Sequence, residues 1–135
     1  QLVTFSYRDQ GVTVLEDGLY VMEEKLADPA FAETMVKFVR ASMKGWKYAE
    51  ANADEAAQIV IDNDESGAQS LDHQKYMMGE VAKLTAGGNG ALDPADFDAT
   101  VASLLAAVSP ENPAITKAPE GKAWTHEITD KALAE

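Results

Sequence analysis

The stretch DPAFAETMVKFVRASMKGWKYAEAN, residues 28–52, decides the fold. Asp28 before Pro29 is a strong helix start. The carboxylate accepts from amides that lack intrahelical partners, and proline at the first helical position gives up an N–H that has no partner there. Phe31, Met35, Phe38, Val39, Met43 and Trp46 follow at spacings of three and four, one apolar stripe expected to face a core. Gly45 interrupts the pattern at a cost of roughly 1 kcal/mol relative to alanine. Close backbone packing or a kink is therefore expected there.

Similar signals continue towards the C-terminus. Asn52-Ala53-Asp54-Glu55 has the form of a capping box, with Glu55 reaching back to the cap, and opens a helix to about Asp62. Ser70 is placed to cap a third helix with His73, Met77, Val81 and Leu84 on one face. AGGNG, residues 86–90, ends it with residues that tolerate positive φ. Asp93-Pro94 repeats the first start signal, and Phe97, Val101, Leu104, Leu105 and Val108 form a fourth apolar face. SPENPAITKAPEGK, residues 109–122, holds three prolines and a glycine and forbids long regular structure. A last short helix is expected over about Thr125 to Leu133.

Composition narrows the function. The chain has 135 residues, enough for one core, and 46% of them are hydrophobic. Eleven basic against 23 acidic residues give a formal net charge of −12. Without a basic stripe to offset it, that charge repels nucleic acid and anionic membrane surfaces. The absence of cysteine excludes disulfides, thiolate metal sites and cysteine nucleophiles. No apolar run is long enough to span a bilayer. The chain opens at Gln1 on β-type residues, as expected of a mature chain or a piece of a longer protein.

Three motifs offer chemistry. In IDNDESGAQSLDH, residues 61–73, Asp62, Asp64, Ser66 and Gly67 occupy relative positions 1, 3, 5 and 6 of a calcium loop. Position 12, however, is His73 instead of a bidentate glutamate, and imidazole suits a hard cation poorly. A turn is expected, and no metal. Gly87 to Gly90 lacks the Gly-Lys-Ser/Thr of a phosphate loop. His73 and His126 stand far apart in sequence, and neither belongs to a catalytic constellation.

The N-terminal stretch is different. Leu2 to Tyr7 and Gly11 to Leu15 read as short strands, and Gly18 to Met22 as a third strand or the lead into a helix. Asp9, Gln10, Glu16 and Asp17 interrupt these apolar runs. Carboxylates at strand ends can fix a polar or cationic ligand, since charged hydrogen bonds orient strongly. Plain turn residues beside Gly11 and Gly18 are the alternative. A few strands with so many helices make an awkward self-sufficient domain, because the strands have too few partners.

DQGVTVLEDGLYV (9–21), the block from Asp28 to Asp64, GALDPADFDATVASLL (90–105) and ITKAPEGKAWTHEITDKAL (115–133) together resemble one family. It is the taurine, nitrate and thiamine-precursor type of periplasmic substrate-binding protein of bacterial ABC transporters. The likeness runs in order over essentially the whole chain. Its most specific part is KFVRASMKGWKYAEAN with the following Asp54-Glu55-Ala56; Asn52-Ala53-Asp54 stands where many relatives have Asn-Pro before Glu-Ala.

The resemblance implies a non-catalytic solute-binding component of an importer. Its fold would be mainly α with two or three short N-terminal strands, the C-terminal part of a two-lobed α/β type II periplasmic binding protein. Residues 1–22 would be the strand and hinge region and residues 28–135 the helical region. Glu16 and Asp17, with Tyr7 and Asp9, would contact the ligand near the interlobe cleft. Its partners would be a small polar nutrient, a permease and an N-terminal lobe, with no cofactor. A fragment lacking that lobe would expose apolar helix faces and could pair with a second copy. The pyrimidine synthases of the same superfamily offer an enzymatic alternative. Their pyridoxal-phosphate chemistry is implied to use a cysteine-rich motif, which is missing here. A self-contained helical interaction module is a further alternative.

Overall fold

The computed structural model describes residues 2–107, 114–121 and 123–134. These are mainly helical, with α1 (Glu23–Leu26), α2 (Pro29–Ala51), α3 (Ala53–Asp62), α4 (Leu71–Thr85), α5 (Pro94–Ala106) and α6 (Glu127–Leu133). Local cap chemistry accounts for the principal starts. Asp28 accepts from the Ala30 amide at 2.9 Å and Asp93 from Ala95 at 2.8 Å, each with proline at the first helical position. The Ser70 hydroxyl accepts from the His73 amide at 3.3 Å. Val108 and residues 109–113 of the proline-rich segment lie outside the described residues.

The expected strands are not formed among the described residues. Arg8–Gln10 makes a single 3-10 turn closed by Gly11 in the left-handed region, φ 78°. The flanking runs have no regular structure and no ladder partner. β-type residues encode a strand only where a neighbouring backbone takes up their N–H and C=O groups. Lacking that, the runs leave apolar side chains in solvent, among them Phe5 at 79%, Leu19 at 63% and Tyr20 at 84% exposure. Met22 leads into α1, a single turn, so of the two readings of Gly18 to Met22 it is the lead into a helix that forms.

The capping box is also replaced. Asn52 does not cap α3; its Nδ2 donates back to the Tyr48 carbonyl at 2.9 Å, closing α2 instead. Glu55 is occupied by the Tyr48 hydroxyl, whose pKa is raised first by that hydrogen bond. Gly45 does not interrupt α2 and has no close neighbour. The helix runs through it, and the space beside it is open.

The chain divides into two compact units, residues 1–23 with 91–126 and residues 24–90 with 127–135. The second contains α2, α3, α4 and α6. There α3 packs on α4, and α6 on α2. Lys75 bridges to Asp54 at 3.1 Å, and the Thr85 hydroxyl donates to Glu50 at 2.6 Å. Small side chains mediate the closest packing: Ala56, Ala57 and Ala132 are the buried residues of the described chain. The face of α4 that is covered includes Leu71, Gln74, Met78 and Val81, while Leu84, assigned by pattern to the face of His73 and Met77, is 87% exposed. The α2 stripe is likewise only part-covered, since Phe38 and Trp46 remain exposed. The accessible surface is 10711 Å².

In the first unit, α5 has Phe97, Val101, Leu104 and Leu105 half-buried, as its pattern predicts. The His126 Nε2 donates to the Leu92 carbonyl at 2.8 Å, with its ring 4.7 Å from that of Trp124. His126 is thus a packing residue.

Candidate functional site

The four residues singled out by sequence all lie in the N-terminal segment of the first unit, and all are exposed. Tyr7 and Asp9 share the 3-10 turn. The Tyr7 carbonyl accepts from Gln10 and Val12, both at 3.0 Å, and the Asp9 amide donates to the Ser6 hydroxyl at 3.4 Å. These bonds order the backbone and leave the Tyr7 ring in solvent. Glu16 and Asp17 are consecutive in chain of no regular structure. After them, Tyr20 folds back so that its hydroxyl oxygen lies 3.4 Å from where a Cβ of Gly18 would stand.

Just before the Glu16–Asp17 step, the chain is bonded to a residue the sequence did not single out. The Leu15 amide donates to the Thr100 hydroxyl at 2.8 Å, across 85 positions of sequence. That hydroxyl donates in turn to the Asp96 carbonyl, also at 2.8 Å. A threonine inside the apolar pattern of a helix was the available signal. Such a hydroxyl usually satisfies only its own helix.

The segment from Asp62 to Ser70 is a turn organised by Asp64. Its Oδ1 accepts from the Ser66 amide at 2.9 Å and hydroxyl at 2.5 Å, and its Oδ2 from the Gln69 amide at 2.9 Å. The Ser66 hydroxyl, and next the Gln69 amide, hold the Asp64 pKa below the usual carboxylate value. Among the described residues no group of three or more acidic or histidine side chains is arranged to hold a metal ion. Gly87 to Gly90 ends α4, with Gly88 donating to the Thr85 carbonyl at 2.9 Å.

Contrary to the expectation of no basic stripe, Lys37, Arg40, Lys44 and Lys47 recur at helical spacing along α2. Two of them are engaged locally, Lys37 by Glu33 at 2.7 Å and Arg40 by the end of α6. Two open grooves lie in the second unit. One of about 520 Å³ is lined by Ala32, Val36, Arg40 and Lys131, and one of about 390 Å³ by Ser42, Gly45, Trp46, Ala49 and Met78. Neither includes the N-terminal candidates. No helix among the described residues is long and apolar enough to cross a membrane.

No protein family, curated protein or solved structure matches the chain.

Proposed function

We propose that the chain is the C-terminal portion of a non-catalytic, periplasmic solute-binding component of an ABC importer, built on the two-lobed type II fold. The observation that carries this reading is the β-type segment 2–22, which joins no strand ladder and is rich in exposed apolar side chains. Such a segment completes its hydrogen bonds in a sheet contributed by other sequence. The motif order quoted above supplies the family. The ligand is a small polar nutrient of the aminopyrimidine, taurine or nitrate class. Glu16 and Asp17 favour amine or ring N–H donors. Contacts made to both lobes only in the closed state drive closure, and the closed form docks on the permease.

Calorimetric titration of the protein carrying both lobes, with aminopyrimidine, taurine, nitrate and riboflavin, tests the proposal. Saturable heat with the aminopyrimidine, lost in Glu16→Ala/Asp17→Ala, is the expected result. Equal binding by that variant removes these residues from the site, and heat from none of the four ligands defeats the proposal.

A second reading, a helical interaction module that pairs with a second copy, is favoured by the exposed Phe38, Trp46, Tyr76 and Leu84. Light scattering at several concentrations tests the pairing. A mass that stays monomeric, with little hydrophobic-dye binding, counts against the module.

A further inference from the structure

We infer that Thr100 is a positioning residue that sets the placement of the Glu16–Asp17 step, an inference that takes its functional meaning from the solute-binding reading above. The hydroxyl proton of Thr100 is committed to the Asp96 carbonyl of its own helix. This turns the oxygen lone pairs away from the helix, and the Leu15 amide meets them at 2.8 Å. The anchored amide belongs to the residue immediately before Glu16. Fixing it removes backbone freedom from the two carboxylates that follow, while both remain exposed and open to a ligand. The choice of side chain suits the task. Threonine is β-branched and stiff at χ1, so its oxygen is held on one bearing. Serine offers the same oxygen with more rotamers, and valine matches the shape with no oxygen at all.

The relay also ties a run without a ladder partner to α5. One hydrogen bond links the N-terminal segment to a helix residue 85 positions away, and a second, within the helix, orients the accepting oxygen. The anchor acts on Glu16 and Asp17 through Leu15 and does not itself contact a ligand.

Amide exchange and carboxyl-carbon NMR on the 135-residue chain test the inference without any ligand. In Thr100→Val the Leu15 amide is expected to exchange about five-fold faster, with the carboxyl signals of Glu16 and Asp17 displaced. Thr100→Ser is expected to restore most of both. An unchanged Leu15 rate in Thr100→Val overturns the inference, as do unmoved Glu16 and Asp17 signals. If the exchange and signals respond as expected, but aminopyrimidine, taurine and nitrate titrations are unaffected by Thr100→Val and by Glu16→Ala/Asp17→Ala, the positioning role stands. It is then the assignment of Glu16 and Asp17 to the ligand site that falls.

Discussion

The Nε of Arg40 donates to the carbonyl of Ala132 at 3.2 Å, and its Nη2 donates to Lys131 at 3.4 Å. One guanidinium on α2 thereby takes up carbonyls that α6, seven residues long, leaves without intrahelical donors at its C-terminal end. A helix so short does not persist alone. Arg40→Ala is expected to cost about 1–2 kcal/mol and to raise amide exchange across Glu127–Leu133. Hydrogen exchange by mass spectrometry reads this directly. Protection unchanged in that segment contradicts the docking role.

Two glycines are expected to respond in opposite directions. Gly90 has φ +77°, and a Cβ there would stand 2.6 Å from the Met43 sulfur. Gly90→Ala should therefore lose about 1–2 kcal/mol from left-handed backbone strain, with the Met43 side chain shifting to make room. Beside Gly45 nothing lies within 4 Å. Gly45→Ala should gain roughly 0.5–1 kcal/mol of helix stability. Thermal unfolding of the two variants compares them.

The caps differ in what they support. Asp28→Ala and Asp93→Ala are each expected to cost about 1 kcal/mol, recovered in part by serine. Asn52→Ala should cost less than a cap, about 0.5 kcal/mol, since only its bond to Tyr48 is lost. Urea midpoints at constant m-value supply the check.

The turn at Asp64 should loosen only in acid. A carboxyl whose pKa is lowered by folding adds stability that is fully present above its ordinary value of 3.8. That contribution is lost as pH falls through the lower, folded value. Ser66→Ala removes the largest cause, so the Asp64 titration should move up towards 3.8, and Gln69 should lose protection at a higher pH. A carboxyl-detected NMR titration decides it. A curve identical to that of the parent protein contradicts the role given to Ser66.

Much of the fold was legible because helix starts are local. Asp28-Pro29, Ser70 and Asp93-Pro94 act within three residues of themselves, and each cap bond forms where the pattern put it. The candidate site was legible only as composition. Glu16 and Asp17 stand out as carboxylates among apolar residues, but their anchor on Thr100 lies 85 positions away, where no local pattern reports it. Asn52 went astray for a related reason. It had two backbones to serve, and the competition was settled by the carbonyl of Tyr48.

Sequence alone determined the helical character, the main helix starts and the turn around Asp64, since each depends on hydrogen bonds between near neighbours. Tertiary structure decided which face of α4 is covered, that α6 closes on Arg40, and that residues 2–22 form no strand. A strand or a buried face exists only when another surface is present to complete it, and periodicity cannot supply that partner.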